Sequence, residues 1–198
     1  MIKVGITGGI GSGKTTFCKE WEKLGAFVLY ADDFAKQLMN EDKELKKKIM
    51  SAFGDRAYDR DGNINRDYLA KEAFEKGRVQ ELNDLVHPVL RARTKELAVK
   101  KEKEGIEVFA KEAAVLLNNG RPEELDFVVL LLADESRRIE RTVERDESSE
   151  PLVKNRISRQ PDFNQLIHLA DFIVTNNENL QKLKLKAVEI FKEVKKSA

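Results

Sequence analysis

Gly8-Gly9-Ile10-Gly11-Ser12-Gly13-Lys14-Thr15 fits the pattern G-x-x-x-x-G-K-[ST], and its flanks are those of a strand-loop-helix unit. Ahead of it, Lys3–Thr7 reads as a short buried strand. Behind it, Phe17 to Leu24 reads as a helix with Phe17, Trp21 and Leu24 on one face. Glycines let such a loop curl until successive backbone N–H groups point inward at phosphate oxygens. Lys14 reaches toward β- and γ-phosphates, the Thr15 hydroxyl suits a Mg²⁺ ion, and the dipole of the following helix adds partial positive charge at the same spot. Glycine-rich turns between strand and helix also occur without a ligand. Here the adjacent Lys14-Thr15 and the flanks decide for a nucleoside triphosphate.

Working outward, apolar strand-like runs recur at Lys3–Thr7, Phe27–Tyr30, Ile106–Ala110, Phe127–Leu132 and Phe172–Val174, with helical stretches between them. That alternation predicts an α/β fold of the P-loop NTPase kind, a five-stranded parallel sheet flanked by helices. The interval from Ala31 to Gly105 breaks the rhythm. It is mostly helical in pattern, interrupted by the turn-rich Asp59-Arg60-Asp61-Gly62-Asn63, and exceeds a minimal crossover. A helical subdomain inserted into a single kinase domain (1–198) is therefore expected. Asp146 to Pro151 separates two Arg-bearing helical segments and reads as the hinge of a lid over roughly 137–160.

The 198 residues suffice for one domain with a core, and 36 Lys+Arg against 35 Asp+Glu leave the net charge near zero. This balance argues against nucleic acid or an anionic membrane as the main partner, so any anion site must be local. Cys18 is the lone cysteine, which excludes an internal disulfide; its place on the first helix predicts a small core residue. The first strand begins almost at once, so no signal or transit peptide is expected. No apolar run approaches the ~20 residues of a membrane span. A soluble, cytoplasmic protein is the expectation. Lys95 to Glu104 reads as a solvated helix face.

A phosphate loop alone does not separate kinases from GTPases or binding modules. A GTPase should add a guanine-reading N-K-x-D after a late strand, where this chain has Thr175-Asn176-Asn177-Glu178-Asn179. Asp59 to Gly62 matches D-x-x-G, but no apolar strand precedes it, and a plain turn is the better reading. Asp32 follows the second strand at the carboxyl edge, where parallel α/β sheets bind ligands. A carboxylate there suits proton acceptance from a hydroxyl or water-mediated hold on magnesium, with helix capping as the structural alternative. Asp33 reads as solvent-facing or capping. Phe127 to Asp134 ends a strand in an acid, yet Asp134 leads straight into a helix, so an N-cap is expected there; Glu112, just past the third strand, is a rival magnesium-side acid. Arg141 and Arg145 lie four apart on one helix face, with Arg156 and Arg159 beyond the hinge, and planar bidentate donors of this kind suit phosphate. Surface ion pairs with Glu140, Glu144 or Glu147 are the competing role. His87-Pro88 is expected to end a helical segment over Leu82–Val86, and neither His87 nor His168 suggests a metal site.

Taken together, these stretches resemble the dephospho-CoA kinase family over nearly the whole chain. The matching stretches begin with ITGGIGSGKTT (Ile6–Thr16), GAFVLYADDFAKQL (Gly25–Leu38), FGD (Phe53–Asp55) and DGNINRDYL (Asp61–Leu69). They continue through LNDLVHPV (Leu82–Val89), RTVERD (Arg141–Asp146), RISRQ (Arg156–Gln160) and ADFIVTNN (Ala170–Asn177). The resemblance implies transfer of the ATP γ-phosphoryl group to the ribose 3′-hydroxyl of dephospho-CoA, with Mg²⁺ as cofactor and ATP and dephospho-CoA as partners. It also implies a three-part build: nucleotide core, helical CoA-binding subdomain (roughly 60–105) and lid.

By position, the resemblance puts Gly9, Gly11, Ser12, Gly13, Lys14, Thr15 and Thr16 on the ATP phosphates, with Arg141 and Arg145 steadying them. It makes Asp32 the base for the 3′-hydroxyl and sets Arg66, His87 and Glu112 on the acceptor side. Two departures stand out. Tyr30 occupies a position where the family usually has Asp. Glu112-Ala113-Ala114-Val115-Leu116-Leu117-Asn118 replaces the usual Asp-x-Pro-Leu-Leu-x-Glu. They leave two other readings open: a kinase of the same fold for another hydroxyl or nucleotide acceptor, and a nucleotide-binding regulator without chemistry.

Overall fold

The computed structural model describes Met1–Ser197. Five parallel strands form one sheet in the order β2-β3-β1-β4-β5: β1 Ile2–Gly8, β2 Phe27–Tyr30, β3 Val108–Glu112, β4 Phe127–Leu132 and β5 Phe172–Thr175. The predicted sheet and strand count are found. Val128 to Leu131 of β4 are fully buried, as a strand covered on both faces must be.

The chain divides into two compact units, one of Met1–Tyr30 with Lys101–Ala198 and one of Ala31–Lys100. In the first, helix α1 (Lys14–Lys23) buries Phe17, Cys18 and Trp21 against the sheet. The long C-terminal helix α8 (Leu180–Lys196) adds Leu183, Ala187, Ile190, Phe191 and Val194 to the same core. Trp21 packs edge-on to Phe191 with ring centroids 5.3 Å apart and donates its indole N–H to the Ala187 carbonyl at 2.9 Å. The buried Trp21 thus leaves its polar atom satisfied. Two further helices, α6 (Glu135–Asp146) and α7 (Glu150–Ser158), follow β4.

Ala31–Lys100 holds α2 (Ala31–Glu41), α3 (Lys43–Phe53), the short α4 (Arg66–Ala70) and nearly all of α5 (Val79–Lys103). Its own core gathers Leu38, Leu45, Ile49, Phe53, Tyr58, Leu69 and Val86. Asp42 caps α3 by accepting from the Glu44 and Leu45 amides, and Tyr58 donates to the Met39 carbonyl at 2.7 Å.

Four expectations need correction. Leu24 is not on the buried face of α1; it follows the helix end and is exposed. The third strand begins two residues later than predicted. Gly105, at φ +83°, and Ile106 close the turn of α5, and Ile106 N–H returns to the Lys101 carbonyl. At its far end β3 runs on through the polar Lys111 and Glu112, because parallel pairing with Leu29 and Tyr30 is a backbone affair. His87-Pro88 does not end a helix. α5 runs through Pro88, which removes one N–H bond, the one to the Asp84 carbonyl, but leaves the rest of the ladder. Asp146 belongs to α6, so the irregular link is Glu147–Ser149, with Glu147 in the left-handed region at φ +49°. The D-x-x-G segment is the expected turn: Asp59 Oδ1 accepts from the Asp61 and Asn63 amides.

Candidate active site

The phosphate-loop motif joins β1 to α1 at the carboxyl edge of the sheet. Gly11 (φ +76°) and Gly13 (φ +99°) take left-handed conformations that a side chain resists. Space forbids a side chain as well. A Cβ on Gly11 would meet the Arg138 carbonyl oxygen at 2.4 Å, and one on Gly13 would meet Asn176 Nδ2 at 2.4 Å. Asn176, buried at the end of β5, donates from that nitrogen to the Ser12 carbonyl at 2.8 Å. The loop is therefore held from β5 as well as by its own glycines. Lys14 Nζ donates to the Gly8 and Gly9 carbonyls at 2.9 and 3.2 Å and lies 3.7 Å from Glu112 Oε1.

A cleft of about 550 Å³ opens beside the loop. Its walls include Gly11, Gly13, Lys14, Thr15, Thr16, Arg141, Arg145 and Asn176. Among its lining residues the cations Lys14, Lys19, Arg141 and Arg145 outnumber the acid Glu144, and the positive end of α1 adds to them. Arg141 is oriented by donating to the Asn176 and Glu178 carbonyls at 3.0 and 3.4 Å. Arg145 instead forms a two-pronged pair with Asp146, which also accepts from Arg156. These two guanidiniums hold the Asp146 carboxyl near a pKa of about 2. The excess of cations favours an anion in this cleft.

Residues 2–182 match the family model described as dephospho-CoA kinase. The chain belongs to the dephospho-CoA kinase family. The family comprises ATP-dependent phosphotransferases acting at the last step of coenzyme A biosynthesis. The dephospho-CoA kinase of Salinibacter ruber is 38% identical over 192 residues, covering 96% of each chain. That of Chlorobium luteolum is 36% identical over 193 residues, covering 95% of this chain and 88% of its own. Among solved structures, the dephospho-CoA kinase from Campylobacter jejuni superposes with a TM-score of 0.65 at 25% identity, covering 97% of this chain and 96% of that one. TT1252 from Thermus thermophilus gives 0.75 at 26% identity, covering 97% of both.

The acceptor-side candidates fall in two places. Glu112 ends β3, in register with Tyr30 on β2 and Ile6 on β1. The Tyr30 hydroxyl is shielded from solvent, and burial, with Cys18, Glu22 and Glu112 nearby, pushes its ionisation far above the ordinary phenol range. Burial likewise makes the Cys18 thiol a core group well above ordinary thiol pKa values. Asp32, Arg66 and His87 all lie in the Ala31–Lys100 unit and are exposed: Asp32 in the first turn of α2, Arg66 at the start of α4, His87 on α5. Asp32 is inside its helix rather than capping it, and Asp33 pairs with Lys36 at 2.7 Å. Asp134 holds the N-cap position of α6, but its side chain caps no amide; its own N–H donates to Asn177 Oδ1 at 2.8 Å. The altered segment after β3 serves the core. Ala113, Leu116 and Leu117 are buried, and Leu116 lies over Gly5.

Three residues against the loop escape a reading by motif: Arg138, Gln160 and Asn176. Arg138 Nε donates to the Ile10 carbonyl at 2.9 Å, and Gln160 Oε1 accepts from the Ile10 amide at 2.9 Å. Gln160 and Asn176 fall in stretches that carried the family resemblance and Arg138 does not, and nothing in local pattern ties any of the three to the loop.

Proposed function

We propose that the chain is a Mg²⁺-dependent enzyme that moves the ATP γ-phosphoryl group to the ribose 3′-hydroxyl of dephospho-CoA. The observation that carries the reading is one cleft uniting Lys14, Thr15, Arg141 and Arg145 around a phosphate loop, in a chain of this family. In-line transfer demands charge neutralisation on the phosphates and a positioned acceptor hydroxyl, with little covalent work for the protein. The backbone amides of Gly11 to Thr16 and the Lys14 ammonium supply the first. Lys14 leaves the Gly8 and Gly9 carbonyls for the phosphate oxygens, an exchange of weak neutral acceptors for charged ones. Arg141 and Arg145 add bidentate donors on the opposite wall. Asp32, two residues past β2, orients the 3′-hydroxyl and takes its proton, while Arg66 and His87 hold the remainder of the acceptor.

Among the described residues no group of three or more His, Cys, Asp or Glu could hold a metal ion. This donor set fits magnesium, which keeps its waters and takes one or two protein oxygens beside substrate phosphates. The Thr15 hydroxyl, on the cleft wall, would be a direct ligand, and Glu112 an outer partner. A bound ion would supply neutralisation of charge on the nucleotide's phosphates. Among the described residues no helix is long and apolar enough to cross a membrane.

The deciding assay is ADP release from Mg-ATP with and without dephospho-CoA, beside nucleoside monophosphates and small alcohols. Stimulation by dephospho-CoA above all other acceptors is expected. Equal or greater stimulation by another acceptor would overturn the substrate, and no stimulation by any would overturn the kinase reading.

A further inference from the structure

The tip of the phosphate loop has no helix of its own to hold it. Gly13 to Thr16 are anchored by α1, whose Phe17 and Trp21 are fully buried. Ile10 lies further out, yet both of its backbone groups are engaged. Its N–H donates to Gln160 Oε1 at 2.9 Å, and its carbonyl accepts from Arg138 Nε at 2.9 Å. Arg138 then donates from NH2 to that same Gln160 oxygen at 3.1 Å, closing a ring over the tip. The close approach is built into the loop. A Cβ on Gly9 would strike the Arg138 guanidinium at 2.3 Å, and one on Gly11 would strike the Arg138 backbone. Arg138 is itself set by α6, where Thr142 donates to its carbonyl at 2.7 Å. Three residues further along that helix is Arg141, on the wall of the ATP cleft.

We infer that Arg138 and Gln160 are positioning residues for phosphoryl transfer: they clamp Ile10 so that the loop tip is preorganised around the terminal phosphate. The inference rests on the kinase reading above. Each contact uses Gln160 only as an acceptor, through one oxygen, so the side-chain amide nitrogen is dispensable. Anchored Gly13 to Thr16 keep most ground-state affinity for ATP without the clamp. The reacting end of the nucleotide loses its fixed geometry, and a displacement of about 1 Å there can cost about 10²-fold in rate.

The test compares Gln160→Ala, Gln160→Glu and Arg138→Ala in steady-state kinetics. Amide hydrogen exchange across residues 2–13 is followed in parallel. Gln160→Ala should lower kcat about 10-fold or more with the KM for ATP within about 3-fold, a loss realised at the transition state. Gln160→Glu keeps the acceptor oxygen and should restore kcat to within about 3-fold of the parent. Exchange at Ile10 should quicken about 10-fold or more in Gln160→Ala and not in Gln160→Glu, with β1 unchanged. Wild-type kcat in Gln160→Ala, a loss confined to KM, or equal losses in the Ala and Glu variants would overturn the clamp. If Arg138→Ala fails to fold, the Gln160 pair still decides. If the parent shows no acceptor-dependent turnover, the kinase reading falls, and unchanged Ile10 exchange in Gln160→Ala would overturn the clamp independently.

Discussion

The Lys14 ammonium stands 3.7 Å from a carboxylate oxygen of Glu112, and 11% and 12% of the two side chains are exposed. Strand β3 therefore delivers an acid to the base of the phosphate loop, more than ninety residues after the lysine it meets. Largely shielded pairs of this kind are costly to break from one side, since the remaining charge stays desolvated. Glu112→Gln is expected to lower thermal stability by about 1–3 kcal/mol. It should cut kcat by about 10-fold or more and raise the Mg²⁺ concentration needed for half-maximal rate. Lys14→Met should remove at least about 10²–10³-fold of kcat. Denaturant titration beside Mg²⁺-dependent kinetics checks both variants; an unaltered Mg²⁺ requirement in Glu112→Gln would remove Glu112 from the metal side.

Asp32 sits exposed in the first turn of α2, so its loss touches no packing. Its charge at a helix N-terminus contributes about 0.3–1 kcal/mol. Asp32→Asn should leave unfolding nearly unchanged and ATP affinity within a few-fold. The general-base role predicts a fall in kcat of about 10²–10⁴-fold. Single-turnover rates at saturating substrates give the answer directly, and a normal rate would retire Asp32 as the base.

Asn176 links the last strand to the loop through its bond to the Ser12 carbonyl, and its own carbonyl takes Arg141. Asn176→Ala strands a buried acceptor and should cost about 1–3 kcal/mol. Asn176→Asp should bind ATP more weakly than the Ala variant, because it replaces a donor with an anion beside the phosphate cleft. Calorimetric ATP titration of the two variants distinguishes lost packing from repulsion.

Asp146 supplies a pH signature. Its folded carboxyl is held near a pKa of about 2 by Arg145 and then Arg156, below its unfolded value. A lowered carboxyl pKa contributes stability above the unfolded value and loses it as pH falls through the folded one. About a quarter of the Asp146 side chain and half of each arginine are exposed, and solvent screening limits the contribution to about 1 kcal/mol or less. Asp146→Asn should therefore be less stable than the parent at neutral pH, with the gap closing between about pH 4 and pH 2. Paired urea titrations across that range test it; a gap independent of pH would exclude the ion pair as its source.

Local pattern and spacing already determined the phosphate loop and the parallel α/β class. Strand β2 and strand β4 were legible to the residue, because apolar runs bounded by polar turns report burial directly. Strand β3 was misplaced by two residues, because Lys111 and Glu112 pair through their backbones and carry no apolar signal. Pro88 was misread as a stop because a long packed helix outlasts one missing bond. The contacts that shape the loop lay beyond any such reading. Asn176, Gln160 and Arg138 reach it across 164, 150 and 128 residues of sequence. Side-chain periodicity records which face of an element is buried, not which distant element will cover it. The tertiary structure alone decided that Glu112 would meet Lys14, that α6 would lie against Gly9 and Gly11, and that Ile10 would be held at both ends.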